Sequence, residues 1–501
     1  MGLKPLEPAP LTRLRERLAA TRAALPAGTP GNALLSITLA LEAPATTGGD
    51  WLSTDLARPL ATAWAQPARD DWRLALGHAL LFCSAGPARF SALQAAFAGL
   101  APLWRHDDAD GNAPSPLAHI GFAFDEEAAD GVPDELPNAR LAVPAILLRW
   151  RAGQASATFT CTLRDADTAI ERWQAELAAA APARPAATAA QTGERRPAPL
   201  AERAYLARVR AALAGIAQGE LAKVVLARSA GYAARRRIDP AAVLAALASR
   251  HPECTLYGIG QPGRCFLGAT PERLVTLAGG IVRADALAGT VWEGDTTGRT
   301  GAGAGATDAP QALDGDKNRR EQQLVVDAVR DALAPLCARL DAPQAAEVMT
   351  VRELRHLRTS VAGRVLPGVG LFDLIARLHP TPAVGGTPEA AARRWLRAHR
   401  ERRPAWYTGG IGWIDRAGDG EIAVALRCAR LDGAQAELFA GAGIVAGSDP
   451  RQELAETEAK LGPLLAALAA AATGPATSTL PSTPGAGRRD AHASARPSRR
   501  A

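Results

Sequence analysis

Tyrosine and methionine are scarce in this chain of 501 residues, with four and two copies, and aromatic residues together make up only 5%. A surface that stacks nucleic-acid bases needs aromatic side chains interleaved with basic ones, and no such run is found. The formal charge of +6 is poorly placed for that purpose as well. Residues 474–501 hold Arg488, Arg489, Arg496, Arg499 and Arg500 against Asp490, so the C-terminal tail carries four of the six surplus charges. Nucleic acid is therefore not expected as a partner. The tail itself is Pro, Ser, Thr and Arg, a composition that builds no core, and is expected to be disordered.

Long apolar runs are absent too. Nothing approaches the ~20 residues of a membrane-spanning helix, and residues 1–18 lack the apolar core of a signal peptide. Six cysteines (Cys83, Cys161, Cys254, Cys265, Cys337 and Cys428) form no CxxC pair and have no histidine at metal spacing. Free buried thiols in a reducing compartment are expected, which excludes a disulfide framework and a zinc site. The expectation is a cytoplasmic protein without membrane contact. What the chain does have is length and 48% hydrophobic residues, enough for a large α/β catalytic domain.

An Ala/Pro/Arg-rich stretch at 182–199 reads as a linker. Before it, 34–41 and 158–163 read as strands and 168–179 as a helix, with no chemical motif among them. After it the signals sharpen. Helical spacing marks 202–216, and 240–249 opens with a proline suited to the first helical turn. Strands are expected at 223–227, 254–260, 265–268 and 280–284. The run 298–306, GRTGAGAGA, superficially resembles a phosphate loop. It lacks the Gly-Lys-Ser/Thr ending and a leading strand, and reads as a surface loop. A helix over 321–333 should present Leu324, Val325, Ala328 and Ala332 as its apolar face and stop at Pro335.

The last third predicts a meander of strands at 407–414, 422–431 and 436–445, with Asp-Gly pairs at the turns. In the middle strand Ile422, Val424, Leu426 and Cys428 should share one face, and Ala423, Ala425, Arg427 and Ala429 the other. Small residues around one arginine leave room for an anion; periodicity equally allows a surface arginine. A final helix begins near Asp449. Glu453, Glu456 and Lys460 fall on one face of it, either as a solvated charged stripe or, joined by Glu321 from another helix, as oxygen ligands for Mg²⁺.

Nine segments, in order, resemble one family. Residues 219–228, GELAKVVLAR, are similar to the GE-x-x-KVVLAR strand of chorismate-utilising enzymes, and 266–274, FLGATPERL, to their FLGA-[ST]-PERL segment. LAGT at 287–290, the helix at 317–326, the His356-Leu357 pair, and ALRC at 425–428 follow. So do AGAGIV at 440–445 and E-x-x-E-x-x-x-K from Glu453 to Lys460. HPTPAVGG at 379–386 resembles the isochorismate synthase branch of the family. The match covers about residues 200–470.

The resemblance implies an anthranilate synthase component I-like α/β (α+β) fold: two large antiparallel sheets packed as a sandwich, helices outside, and the active site in the cleft between. Residues 1–181 would complete the sandwich, with the catalytic core at 200–472 and the tail beyond. It implies an isomerase that moves the hydroxyl of chorismate, with Mg²⁺ as cofactor. Lys223 would be the base, Glu272 the acid and His356 an active-site histidine. Glu321, Glu453 and Glu456 would hold the metal. Thr290, Ala383, Tyr407, Arg427, Gly441, Ala442, Gly443 and Lys460 would contact substrate.

Two positions depart from the family pattern. Gln322 stands where it has histidine, and Asn318 where an acidic residue is usual. Salicylate synthases, and the ammonia-using anthranilate and aminodeoxychorismate synthases, tend to carry Thr at the position of Ala383, and the ammonia users lack the lysine. Ala383 and Lys223 thus favour the isochorismate branch over these alternatives. An inactive binding or scaffolding relative is the remaining alternative, which retention of Lys223, Glu272, Glu321, Arg427 and Glu456 argues against. No glutaminase partner and a monomer are expected. The downstream route, to menaquinone, a siderophore, salicylate or a hydroxybenzoate, is not readable from these residues.

Overall fold

A computed structural model describes residues 7–41, 56, 61–108, 114–126, 136–180, 193–292, 316–343, 346–351 and 354–473, the side chains of 288–292, 316–321, 349–351, 354–356 and 472–473 excepted. In chain order the strands are β1 (Leu34–Leu41), β2 (Thr62–Gln66), β3 (Asp71–Ser84), β4 (Trp104–Asp108), β5 (Leu117–Phe122), β6 (Ala139–Arg151), β7 (Gln154–Thr162), β8 (Gly193–Arg195), β9 (Lys223–Ala234), β10 (Thr255–Gln261), β11 (Arg264–Thr270), β12 (Arg273–Ala278), β13 (Ile281–Trp292), β14 (Cys337–Asp341), β15 (Glu347–Val351), β16 (Leu354–Val365), β17 (Gly386–Thr387), β18 (Gly410–Asp415), β19 (Gly420–Val424), β20 (Cys428–Asp432) and β21 (Gln435–Val445). The helices are α1 (Pro8–Ala23), α2 (Arg89–Leu100), α3 (Ala169–Ala180), α4 (Pro199–Ala217), α5 (Pro240–Arg250), α6 (Asp316–Leu333), α7 (Leu371–Leu378), α8 (Glu389–Ala398) and α9 (Pro450–Thr473).

The described strands form one hydrogen-bonded network with two arms. One arm runs β9–β21–β20–β11–β10–β2–β3–β6–β7–β1 and ends on β4, which pairs parallel to β1. The other runs β5–β18–β19–β12–β13–β16, with β14 and β15 both on β16. The long strand β6 belongs to both, because its first half pairs with β5 and its second with β7. Strands from before residue 181 thus pair directly with strands after 200: β2 with β10, and β5 with β18.

The arms face each other across a shared apolar layer. Tyr257, Ile259, Phe266 and Cys428 from the first arm meet Ile411, Ala423 and Ala425 from the second. Helices cover the outer faces. On the first arm α1 brings Leu14 and Leu18, α3 brings Trp173 and Leu177, and α5 brings Leu244 and Leu247. On the second α2 brings Leu93 and α7 brings Leu374 and Ile375. Each fully buried side chain of this size contributes roughly 1.5–3 kcal/mol over leaving it in water. No helix among the described residues is long and apolar enough to cross a membrane.

Several local expectations need correction. The linker ends early: Gly193–Arg195 forms β8 on the edge of β9, and α4 begins at Pro199; residues 182–192 lie outside the described residues. The buried stripe of α6 is Gln322, Val325, Val329 and Leu333, whereas Leu324, Ala328 and Ala332 are only half-buried. The spacing was right and the phase wrong, because a polar Gln322 takes the central position. Its Nε2 donates to Ala286 O at 3.1 Å and Thr359 Oγ1 at 3.0 Å, tying α6 to β13 and β16. The runs 298–306 and 474–501 lie outside the described residues.

The largest correction concerns the strand expected at 422–431. It is two strands in different arms, β19 and β20, divided at Ala425–Arg427, where Arg427 takes a φ of +49°. A side-chain-bearing residue costs about 1–2 kcal/mol there. Here the Tyr257 hydroxyl holds the kink by donating to Leu426 O at 2.9 Å, and Ala269 N reaches Arg427 O at 3.2 Å. The alternation does not survive the kink: Cys428 packs in the same inter-sheet layer as Ala423 and Ala425.

Candidate active site

Two chain crossings build the site. At Thr270–Arg273 the chain passes from β11 in one arm to β12 in the other; at Ala425–Arg427 it passes from β19 back to β20. Because β11 pairs with β20 and β12 with β19, the crossings lie side by side. Pro271 has no N–H and ends the β11 ladder. Glu272 follows at the seam, its N accepted by Thr270 Oγ1 at 3.2 Å and its O accepting from Val424 N at 3.0 Å. Arg427 stands on the neighbouring crossing.

Both line a cleft whose wall also includes Ala383, Tyr407, Gly441, Gly443, Glu456 and Lys460. Eight residues expected from sequence are thereby brought together. Ala442 is not among the lining residues, since strand alternation turns it to the other face of β21 from Gly441 and Gly443. Lys223, at the start of β9, is 1% exposed and lies close enough to Glu272 to act on its charge. Thr290 and His356 are directly opposed on β13 and β16, and Glu321 is on α6; the side chains of these three are outside the described ones.

The electrostatics favour an anionic guest. Burial pushes the Glu272 carboxyl up to about 7, against the pull of Lys223, Lys460 and Arg427. Arg273 leaves Glu272 alone and pairs with Asp285 at 2.8 Å. Arg427 keeps Nη1 buried with no hydrogen-bond partner, an open donor in the cleft wall. Burial holds the Tyr407 phenol well above its ordinary range, so it stays protonated and can donate. Gly441 makes room for it: a Cβ there would meet the Tyr407 hydroxyl at 3.0 Å and Leu226 O at 2.9 Å. Gly386, with φ +151°, lets the HPTPAVGG loop lie on β9, where a Cβ would stand 2.3 Å from Lys223 O.

Asp449 caps α9 by accepting from Arg451 N and Gln452 N at 2.9 Å, and so aims its first turns at the cleft. Glu453 is buried and Glu456 half-buried; burial raises the Tyr205 phenol and both carboxylates add to it, so both lie near Tyr205, with Glu456 in the cleft wall and Glu453 not among its lining residues. Lys460 Nζ donates to Glu456 Oε1 at 2.5 Å and to Gly441 O at 3.0 Å. Two carboxylates from one helix face are the oxygen donors a hard cation such as Mg²⁺ takes. They fit as a partial set: among the described residues no group of three metal-capable side chains is assembled. Sequence reasoning missed Val225, Pro271, Leu287, Val384, Thr408, Leu426, Phe439 and Ala440, which also line the cleft. Only their position beside motif residues could have flagged them.

A cleft between the two antiparallel arms, with one protonatable carboxyl among three cations, has the chemistry to hold a small carboxylate and hand it a proton. The family model described as chorismate binding enzyme matches residues 33–469, and the chain belongs to that family. The salicylate biosynthesis isochorismate synthase of Pseudomonas aeruginosa is 38% identical over 268 residues, 54% of this chain and 55% of that one. Isochorismate synthase MenF of Bacillus subtilis is 34% identical over 267 residues, 53% of this chain and 55% of that one. The matched segment thus spans little more than half the length of these curated relatives. Structural likeness reaches further. The menaquinone-specific isochorismate synthase MenF from Escherichia coli superposes with a TM-score of 0.72 at 26% identity, over 91% of this chain and 99% of that one. Anthranilate synthase component I from Streptococcus pneumoniae, at 20% identity and a TM-score of 0.61, shares the fold.

Proposed function

We propose that this chain converts chorismate to isochorismate by attack of water at ring carbon C2 with loss of the C4 hydroxyl. The observation that carries the reading is Glu272, a buried carboxyl raised to about 7 at the seam between the sheets, among Lys223, Lys460 and Arg427. A leaving hydroxyl needs a proton, and a carboxyl poised near neutrality can give one. Lys223 takes the proton from the attacking water. Arg427 and Tyr407 hold the enolpyruvyl carboxylate, for which the planar guanidinium is suited. The N–H groups of Gly441 and Gly443, with Lys460, Thr290 and His356, contact the rest of the substrate. Ala383 leaves space in the wall. Glu321, Glu453 and Glu456 would hold Mg²⁺, which when bound supplies a hard positive charge against the ring carboxylate. We also propose that the protein works in the cytoplasm as a monomer, without a glutaminase subunit.

Incubation with chorismate and Mg²⁺, products resolved by chromatography, should yield isochorismate alone. Salicylate with pyruvate would make the chain a lyase as well. An amino product with ammonium would place it among the ammonia users, and no conversion would overturn the reading. Glu456→Gln removes one anionic ligand and the Lys460 ion pair while leaving the helix intact. Mg²⁺ titrations of activity and calorimetry should show metal affinity lowered by at least about tenfold, the usual scale for disturbing a metal's ligand shell. Parent-like activity at limiting Mg²⁺ would remove Glu456 from the ligand set.

A further inference from the structure

Strand β9 carries Lys223 and Val225 and has two edges. One is paired with β21 along its length, from Lys223 opposite Val445 to Ala233 opposite Gln435. Among the described residues the other is paired only at its ends, by β17 at Lys223 and Val224 and by β8 at residues 232–234. Just past β17, Val225 N still reaches Gly385 O at 2.9 Å. The next groups facing outward are Val225 O and both backbone groups of Ala227, and among the described residues no strand lies beside them.

Side chains stand in for one. Arg403 Nη2 donates to Val225 O at 2.8 Å. The Glu401 carboxylate accepts from Ala227 N. Arg208 Nη2 donates to Ala227 O at 3.1 Å while its other nitrogen pairs with Glu401. Unpaired backbone groups at a buried edge would each cost a lost hydrogen bond, so the three side chains satisfy the strand as a neighbour would. Arg403 reaches further. Its Nη1 donates to Val384 O at 2.5 Å and Thr408 Oγ1 at 3.0 Å, and its guanidinium lies 3.8 Å over the Phe124 ring. Val225, Val384 and Thr408 all line the cleft. Burial raises the Glu401 carboxyl, while Arg403, Arg208 and the Ala227 amide hold it down.

We infer that Glu401 and Arg403 are positioning residues for the proposed reaction. With Arg208 they replace a missing strand along β9, and they fix β9, the 381–385 loop and Thr408 in one register around the cleft. Neither touches the reacting atoms. Their effect is on where Lys223 and the cleft wall stand, and misplacement of about 1 Å can cost on the order of 10²-fold in rate. The inference rests on the function proposed above, and its test separates the two.

Four variants are compared with the parent by hydrogen exchange of a peptide covering 223–229, by kcat and KM for chorismate, and by melting temperature. Glu401→Ala should speed exchange at Ala227 and lower kcat about tenfold or more, with KM nearly unchanged because the hydrogen bond to the 381–385 loop comes from Arg403. Glu401→Gln, whose amide oxygen still accepts from Ala227 N, should recover most of kcat. Arg403→Met should lower kcat and raise KM together, since it frees the loop and Thr408 as well. Arg403→Lys, which can serve only one carbonyl, should fall between. Exchange unchanged in Glu401→Ala and Arg403→Met would overturn the clamp. So would faster exchange and lower melting with parent-like kcat and KM, which would make the contacts merely structural. If those two variants fail to fold, the conservative pair decides, and parent-like kcat and KM in Arg403→Lys overturns the inference. If the parent itself does not convert chorismate, the function fails. The clamp is then read from exchange in Glu401→Ala and Arg403→Met and from calorimetric chorismate binding in Arg403→Met: it stands if exchange quickens in both and binding weakens in Arg403→Met, and falls if any of the three is unchanged.

Discussion

Lys223→Gln should lose about 10²–10⁴-fold in turnover, the usual cost of removing a general base, while still binding chorismate and Mg²⁺. Glutamine keeps the length and hydrogen bonding but cannot take a proton from water. Lys223 is buried at the head of β9 and close to Glu272, so the replacement acts inside the cleft. Ammonia brings its own lone pair and depends less on that base, so ammonium at raised pH should restore a trace of amino product. Ala383→Thr in the same chain should favour that trace. The measurement is steady-state turnover beside calorimetric chorismate binding. Turnover within a few-fold of the parent would mean Lys223 is not the base, whatever the family.

Glu272→Gln should cost a comparable 10²–10⁴-fold or so by removing the proton for the leaving hydroxyl, and it should change two pH profiles. In the parent, kcat should decline as pH rises through about 7, where the acid form is lost; the variant's residual rate should lack that limb. Stability follows the same titration. The folded-state value of Glu272 is raised above the ordinary 4.5, so between about 4.5 and 7 the folded protein binds more protons than the unfolded chain. This group's contribution is complete below 4.5 and is lost as pH rises through 7. Melting temperature measured across that window should fall more steeply in the parent than in Glu272→Gln. Parallel melting profiles would show that Glu272 is not held protonated.

Much of the cleft was legible because its residues sit in segments that resemble the family in order, and because short-range periodicity marks β1, α3, α5 and the start of α9 to within a residue or so. The phase of α6 was not legible. Apolarity alone nominated Leu324 and Ala328, whereas Gln322 earns its buried place through two hydrogen bonds that exist only once β13 and β16 lie beneath it. The clamp residues Glu401 and Arg403 read as two more charges in an arginine-rich run; their role needs the bare edge of β9, which no local pattern announces.

By itself the sequence determined the chemistry available: a lysine, a protonatable carboxyl, carboxylates at helical spacing on α9, and small residues around an arginine. Spacing along a chain reports faces of single elements, and these are local properties. Only the tertiary structure decided that the run 422–431 is not one strand. Alternation there is clean, yet the chain leaves one arm at Ala425 and enters the other at Cys428, through an Arg427 backbone that local preference disfavours. The Tyr257 hydroxyl and the Ala269 N–H, more than 150 residues earlier, hold that kink. The same crossing sets Arg427 beside Glu272, whose burial moves its carboxyl up to about 7 against the pull of Lys223, Lys460 and Arg427. Burial is a property of the assembled sheets, so the acid that the proposed reaction needs exists only in the folded molecule.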